Sequence, residues 1–207
     1  MTFSRPIELK NTVLAAGKEP LVCTPLVGAD EDAVFRELAA ILPKKPDLLE
    51  WRVDFFVGIA DVARVVALCR AIQEKSGGVP LVFTRRSIRE GGNPIVLDEA
   101  QVFELCAAVC RSGAVDLLDY ELSVGEDYFG QAVGLARETG VRLIASFHNF
   151  QETPSAEALV AKFVAMEKAG ADLVKIAVMP RELRDVLTLL DATLTAQSAV
   201  SVPVISM

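Results

Sequence analysis

The sequence has 207 residues, of which 52% are hydrophobic, enough for one domain with a packed core. Its formal net charge of −7 excludes the basic surface that nucleic-acid-binding proteins need. No apolar run is long enough to span a bilayer, and the first ten residues lack the apolar stretch of a secretory signal. We therefore expect a cytoplasmic protein with a single domain over residues 1–207, without nucleic-acid or membrane partners.

The cysteines indicate neither a disulfide framework nor a metal site. Cys23, Cys69, Cys106 and Cys110 lie in apolar strand-like or helix-like segments. Cys106 and Cys110 are four residues apart on a predicted helix, with no histidine nearby in the sequence. We predict buried, reduced thiols, with metal binding or a disulfide as the alternatives.

Short apolar segments alternate with segments of helical period along the chain. The segments start about 25 to 35 residues apart, the size of one strand–helix unit. The predicted strands are Leu21–Thr24, Leu48–Val53, Leu81–Thr84, Val115–Glu121, Val141–Phe147, Asp172–Val178 and Val202–Ser206. The predicted helices are Asp30–Leu42, Ile59–Lys75, Leu97–Ser112, Glu126–Thr139, Ser155–Ala169 and Arg181–Gln197.

Strict alternation of strands and helices predicts a parallel sheet covered by helices. An open doubly wound sheet and a barrel both satisfy this pattern. No G-x-G-x-x-G motif follows the first strand, which weakens the dinucleotide-binding sheet. Charged residues recur inside several strands, whereas strands covered on both faces are normally apolar. A shared polar centre would explain them, so the predicted fold is an α/β (β/α)8 barrel.

Both ends of the chain depart from a complete barrel. Ile7–Leu14 is a further β-rich run, with a turn predicted near Ala15–Lys18. We interpret this run as an N-terminal β-hairpin arm that closes the bottom of the barrel, with a barrel strand as the alternative. The sequence ends with the seventh predicted strand, so we expect the eighth strand and the last helix to be missing from this chain.

Lys175 lies on the sixth predicted strand. Side chains alternate between the two faces of a strand, so Leu173, Lys175 and Ala177 share one face. The aliphatic residues between them would pack on helices, which points Lys175 into the barrel. Burial disfavours an ammonium ion, and a neutral amine can attack a carbonyl group. A structural ion pair with an inward carboxylate explains the position equally well.

His148, the only histidine, directly follows the predicted strand Val141–Phe147. Barrel active sites lie at the carboxyl ends of the strands. A histidine can take and return a proton near neutral pH. Its place one strand before Lys175 favours a functional role over that of a solvated or structural side chain.

Several carboxylates and arginines are also predicted to face inward. Glu50, Arg52 and Asp54 alternate with apolar residues on the second strand, and three charges on one inward face need mutual pairing or a polar ligand. An exposed edge strand is the alternative. Asp119 and Glu121 share a face at the end of the fourth strand, where they could pair with the inward lysine or fix Arg52.

An arginine-rich loop follows the third predicted strand and ends in a pair of glycines. It includes Arg86, and arginine recognises carboxylates through two parallel hydrogen bonds. The glycine pair, Gly91 and Gly92, marks a tight or mobile loop. An exposed basic loop without a ligand is the alternative for this segment alone.

Together, four of these segments resemble the type I 3-dehydroquinate dehydratases, the Schiff-base-forming lyases of the shikimate pathway of aromatic amino acid biosynthesis. They occur in the order and at the spacing of that family, and the resemblance covers essentially the whole chain. The segments are Glu50-Trp51-Arg52-Val53-Asp54, Phe83-Thr84-Arg85-Arg86-Ser87 through Glu90-Gly91-Gly92, Ser146-Phe147-His148-Asn149-Phe150 and Val174-Lys175-Ile176-Ala177-Val178-Met179-Pro180.

The resemblance implies a dehydration of 3-dehydroquinate to 3-dehydroshikimate. Lys175 would form an imine with the C3 ketone. His148 would remove the C2 proton and then protonate the departing C1 hydroxyl in a syn elimination, and Glu90 would hold and polarise His148. The residues expected to contact the substrate are Glu50, Arg52 and Arg86, and those expected to support them are Asp54, Asp119 and Glu121. The resemblance also implies a homodimer, with no metal and no organic cofactor.

Two features depart from the family. Asn149 stands where the family usually has aspartate. We expect this difference to have a mild effect on activity if the side chain only shapes the loop. The family continues beyond Met207 with a loop carrying an arginine and an eighth strand carrying a serine and a glutamine, which clamp the substrate. We therefore expect the chain as it stands to bind substrate far more weakly than a full-length relative.

Two other functions are compatible with parts of the sequence. A class I aldolase-type barrel would share the Schiff-base lysine but not the histidine and arginine motifs. A catalytically inactive barrel that serves as a binding module would explain the missing C-terminal segment. Lys175, His148 and Glu90 together argue against the inactive barrel, because a protein without chemistry does not need them.

Overall fold

The computed structural model describes residues 5–10, 12–14 and 19–207. Its strands are β1 (Ile7–Leu9), β2 (Thr12–Leu14), β3 (Cys23–Leu26), β4 (Leu48–Arg52), β5 (Leu81–Thr84), β6 (Leu117–Glu121), β7 (Arg142–Asn149), β8 (Leu173–Val178) and β9 (Val204–Ser206). Its α-helices are α1 (Glu31–Ile41), α2 (Val62–Lys75), α3 (Glu99–Arg111), α4 (Glu126–Thr139), α5 (Ala156–Lys168) and α6 (Leu183–Ala199). No helix in these described ranges is long and apolar enough to cross a membrane.

Strands β3 to β9 form one parallel sheet in chain order. A helix precedes each of β4 to β9, so the chain repeats the strand–helix unit predicted from the sequence. β3 and β9 are the two edges of the sheet. The architecture is thus a seven-stranded, incomplete (β/α) barrel, as predicted, and all seven strands end on the same side.

The N-terminal hairpin closes the opposite side of the sheet. β1 and β2 pair antiparallel, with Ile7 opposite Leu14. Ile7 and Leu9 are buried against aliphatic side chains of β4 to β8, including Leu117 and Leu173. The interpretation as a closing arm is confirmed, whereas the turn predicted near Ala15–Lys18 lies outside the described residues.

The larger core lies between the outer face of the sheet and the helices. Trp51 on β4 is fully buried there, with its ring edge-to-face against Phe56 and Phe83 at centroid distances of 5.6 and 5.9 Å. Val174 and Ile176 of β8 point into the same core, while Leu173 packs in the inner cluster. The alternation of faces predicted for the strand of Lys175 is therefore correct.

Side-chain caps define where several helices begin. The carboxylates of Asp30, Asp61 and Asp98 accept hydrogen bonds from backbone N–H groups in the first turns of α1, α2 and α3. α2 consequently begins at Val62, not at Ile59 as predicted, and α3 begins at Glu99, not at Leu97. In each case the capping aspartate lies within the range that the apolar pattern assigned to the helix.

Two strand boundaries near the polar centre differ from the prediction. β4 ends at Arg52, and Val53–Phe55 forms a 3-10 turn, so Asp54 does not continue the strand alternation. β7 extends to Asn149, because it pairs with β8 up to Val178. His148 therefore lies within the strand and not after it.

Three cysteines are buried as predicted, but Cys23 is exposed. Burial raises the pKa of the Cys106 thiol, and the thiols of Cys69 and Cys110 are affected in the same way. Cys23 lies on β3, an edge strand that has a neighbouring strand on one side only. The sequence pattern could not reveal which apolar strand forms the edge.

We expect Trp51→Ala to lower the free energy of unfolding by about 3–5 kcal/mol, because it leaves a large cavity between the sheet and the helices. Val57→Ala is the matched control, since Val57 is 77% exposed, and its effect should stay within about 0.5 kcal/mol. Urea unfolding of both variants measures the difference. Equal effects of the two substitutions would contradict the described packing.

Candidate active site

Lys175 faces the interior of the incomplete barrel and lies between two carboxylates. Its Nζ atom is 3.2 Å from Asp119 Oδ2 and 3.8 Å from Glu50 Oε1. The Lys175 side chain is 13% exposed, so it is not completely buried. Glu50 also accepts a hydrogen bond of 2.8 Å from the hydroxyl of Thr84. The structural ion pair considered from the sequence is thus present.

His148 lies on the neighbouring strand and is held by Glu90. Glu90 Oε2 accepts the backbone N–H of His148 at 2.9 Å and lies 2.9 Å from the ring atom Nδ1. The other oxygen, Oε1, accepts a hydrogen bond from the hydroxyl of Ser123 at 2.5 Å. A carboxylate at Nδ1 favours the tautomer that carries its proton there, which leaves Nε2 free to accept a proton.

Arg86 is the centre of a buried network behind both side chains. It is 3% exposed, and its Nη2 atom donates to Asp119 Oδ1 at 2.8 Å. Its Nη1 atom donates to Ser146 Oγ at 2.9 Å and to Glu121 Oε1 at 3.1 Å. The same Nη1 atom is 3.8 Å from Glu90 Oε2. One guanidinium group therefore connects the partner of Lys175 with the partner of His148.

The charge of Asp119 is fixed by its surroundings. Burial by itself would raise the pKa of this carboxyl, but the positive charges of Arg86 and Lys175 and the hydroxyl of Ser146 outweigh burial. The pKa is held well below its usual range. Burial opposes the charge of Arg86, yet Asp119 and Glu121 raise its pKa above the usual value. The pair is therefore ionised at neutral pH.

Arg52 is fixed by Asp54 and not by the carboxylates of β6. Its Nε and Nη2 atoms donate to the two oxygens of Asp54, each at 2.8 Å. Asp54 also accepts the backbone N–H groups of Asn93 at 3.0 Å and Arg86 at 3.3 Å. Burial would raise the pKa of Asp54, but the hydrogen bonds from Arg52 and the backbone lower it. Of the two roles predicted for Asp119 and Glu121, pairing with Lys175 is the one that the structure shows, for Asp119.

The glycine pair of the arginine-rich loop permits two close approaches. Gly91 has a positive φ of 84°, and a Cβ atom there would lie 2.3 Å from the ring of Phe150. A Cβ atom on Gly92 would lie 2.0 Å from the carbonyl oxygen of Arg86. The positive φ at Gly91 and the contact of Gly92 with the backbone of Arg86 therefore require glycine at both positions of the loop that carries Glu90.

Asn149 shapes the loop after β7. Its Oδ1 atom accepts the backbone N–H groups of Gln151 at 2.9 Å and Glu152 at 3.2 Å. Arg181, from the segment after β8, donates to the carbonyl oxygen of Gln151 at 2.7 Å. The loops that follow the histidine strand and the lysine strand are therefore tied together.

The structure brings the predicted site residues to one end of the barrel. Arg86 differs most from the prediction, because its buried donors contact protein carboxylates and a serine. The sequence pattern predicts no role for Ser146, Thr84 or Ser123, although Ser146 is two residues before His148 and so shares its face. In the described part of the chain, no group of three or more His, Cys, Asp or Glu side chains is placed to hold a metal ion.

Comparisons with known proteins identify relatives of this chain. The sequence profile of a family described as type I 3-dehydroquinase matches residues 22–207. A 3-dehydroquinate dehydratase of Aromatoleum aromaticum is 60% identical to this chain, over 100% of this chain and 80% of the relative.

Two solved structures have the same fold. The 3-dehydroquinate dehydratase of Geobacillus kaustophilus matches with a TM-score of 0.95 at 45% identity, over 98% of this chain and 78% of that one. A type I 3-dehydroquinate dehydratase of Clostridium difficile, solved with covalently modified comenic acid, matches with a TM-score of 0.94 at 33% identity. That match covers 99% of this chain and 80% of the other.

We expect Arg86→Lys to destabilise the protein although it keeps the charge. A lysine cannot reproduce the planar fork that reaches Asp119, Ser146 and Glu121, and each lost charge-assisted hydrogen bond costs about 1.5–3 kcal/mol. Arg111→Lys is the matched control, because Arg111 forms an ion pair with Glu138 in which both side chains are more than half exposed. Its effect should stay below about 1 kcal/mol. Equal unfolding midpoints in urea for the two variants would contradict the role of Arg86.

Proposed function

The chain belongs to the type I 3-dehydroquinase family, and on that premise we propose that Lys175 and His148 carry out its hydro-lyase reaction, the dehydration of 3-dehydroquinate. The observation that carries the proposal is the pair of side chains on neighbouring strands. Lys175 is a partly exposed lysine held by carboxylates, and His148 is oriented by Glu90 through its Nδ1 atom. The reaction places the chain in the shikimate pathway.

Lys175 supplies the nucleophile. Its amine attacks the C3 ketone, water leaves, and the resulting protonated imine withdraws electrons from C2. Loss of the C2 proton then gives an enamine, so one difficult elimination becomes two easier steps. The crystal structure of the Clostridium difficile relative with covalently modified comenic acid supports covalent chemistry in this family.

His148 carries the proton. Its free Nε2 atom accepts the proton from C2 and returns it to the C1 hydroxyl, which leaves as water. A water molecule then hydrolyses the product imine, which releases 3-dehydroshikimate and restores the Lys175 amine. Glu90 keeps the proton on Nδ1 and stabilises the imidazolium ion that forms between the two steps. One base acting on one face of the substrate makes the elimination syn.

Glu50 and Arg52 are the groups proposed to contact the substrate, because their side chains are 17% and 20% exposed beside Lys175. Asp54 holds Arg52 in place. Arg86 is more deeply buried, so we propose that it acts through Asp119, Glu121 and Glu90, and does not bind the substrate directly.

The assembly and location of the protein also belong to the proposal. We keep the homodimer and the cytoplasmic location as predictions. The cysteines described as free are compatible with a reducing compartment. Neither proposal affects the chemistry above.

We expect Lys175→Met to lose turnover of 3-dehydroquinate and His148→Ala to lower kcat by about 10²–10⁴-fold, the usual contribution of general acid–base catalysis. The control is Lys168→Met, the same replacement at an exposed lysine on α5, with unchanged turnover. Formation of 3-dehydroshikimate is followed by its conjugated-enone absorbance. Full activity in Lys175→Met would mean that the reaction proceeds without the imine.

Asn149→Asp should leave kcat within a few-fold, because a carboxylate oxygen can accept the same two backbone N–H groups. Asn149→Ala removes the acceptor and should lower kcat more strongly than Asn149→Asp does. Steady-state kinetics of the two variants side by side tests this order. A larger loss in Asn149→Asp would show that the charge beside His148 matters more than the loop.

A further inference from the structure

We propose that Asp119 is the positioning residue and counter-ion of the protonated imine: it accepts the one N–H that remains on Lys175 and so fixes the plane of the C=N bond. This inference rests on the proposed imine chemistry and gives Asp119 a direct contact with the imine, which the steps above do not assign to it. Its basis is the geometry of the two Asp119 oxygens.

The two oxygens of Asp119 have different partners. Oδ1 accepts hydrogen bonds from Arg86 Nη2 at 2.8 Å and from Ser146 Oγ at 2.6 Å. Oδ2 faces Lys175 Nζ at 3.2 Å. The Asp119 side chain has no exposed surface, so it cannot turn away towards solvent. Arg86 and Ser146 therefore hold Oδ2 in a fixed direction at the reacting nitrogen.

Imine formation conserves the positive charge on this nitrogen. The Lys175 ammonium first gives up one proton, and the neutral amine forms a bond to the C3 carbon of the ketone. The ketone oxygen leaves as water after taking up two protons, one of them from the nitrogen. The balance is R–NH₃⁺ plus ketone giving R–NH⁺=C plus water, so three N–H donors become one. That single N–H needs one well-placed acceptor in the site.

Asp119 suits this role better than Glu50 does. Glu50 is farther from Nζ, at 3.8 Å, and the same oxygen already accepts the hydroxyl of Thr84. Asp119 also remains ionised, because neighbouring charges hold its pKa well below the usual range. A permanent carboxylate beside the nitrogen favours the protonated imine, which is the form that withdraws electrons from C2.

The titratable groups around this nitrogen come from other strands of the sheet, whereas the residues described in β9, the second neighbour of β8, include none. They are Cys23 on β3, Glu50 on β4, Arg86 after β5, Asp119 and Glu121 on β6, and His148 on β7. Only Asp119 and Glu50 are carboxylates within 4.0 Å of Lys175 Nζ among the described residues. Asp119→Asn therefore removes the nearer of two negative charges and keeps the shape of the side chain.

The test is reductive trapping as a function of pH. Wild type and Asp119→Asn are incubated with 3-dehydroquinate and 3-dehydroshikimate at equilibrium, cyanoborohydride is added, and the reduced adduct is quantified by intact mass. We define the high-pH edge as the pH at which the yield of trapped adduct falls to half because the imine loses its proton. We expect this edge to lie about 1–3 pH units lower in Asp119→Asn, because an opposite charge at this distance usually shifts a pKa by that amount. Glu138→Gln, which alters an exposed ion pair, should leave the edge unmoved.

The possible failures are distinguishable. Absence of any adduct on the wild-type protein would remove the proposed function itself. An adduct on both proteins with the same high-pH edge would overturn the role of Asp119 alone, even if the variant traps less at every pH. If Asp119→Asn does not fold, the trapping experiment is replaced by nitrogen-15 NMR of the wild-type protein. Its lysines are labelled, and it is mixed with 3-dehydroquinate and 3-dehydroshikimate at equilibrium. The imine nitrogen should then stay protonated at alkaline pH, and its titration near neutral pH would contradict the inference.

Discussion

The buried guanidinium group of Arg86 is the interaction on which the site depends. It lies among three carboxylates, those of Asp119, Glu121 and Glu90, each of which would be costly to bury without a partner. Asp119 in turn holds Lys175, and Glu90 holds His148. One buried cation therefore sets the positions of Lys175 and His148, the side chains that we propose as the nucleophile and the proton carrier.

The parallel sheet supplies the geometry that this network needs. Strand register places Glu121, Ser146 and Lys175 side by side on β6, β7 and β8. His148 lies two residues further along β7, nearer the open end of the barrel. The hairpin closes the opposite end with aliphatic side chains. The buried ionic network around Arg86 consequently lies towards the open end, where we propose that the reaction takes place.

Local patterns in the sequence were sufficient for some features and not for others. Alternation along the strand correctly predicted that Lys175 points inward. The regular strand–helix repeat predicted a parallel sheet covered by helices, and the charged residues inside its strands favoured the barrel. The burial of Arg86 and the role of Ser146 depend on contacts between strands, which residue spacing does not encode. Cys23 was misjudged for the same reason, because its exposure follows from the position of β3 at the edge of the sheet.

The central claim is that one particular amine becomes covalently bound to the substrate. Reduction with borohydride in the presence of 3-dehydroquinate, followed by peptide mapping with mass spectrometry, tests it most directly. The account predicts a reduced adduct on Lys175 and on none of the surface lysines. An adduct confined to another lysine, or no adduct while dehydration continues, would contradict it.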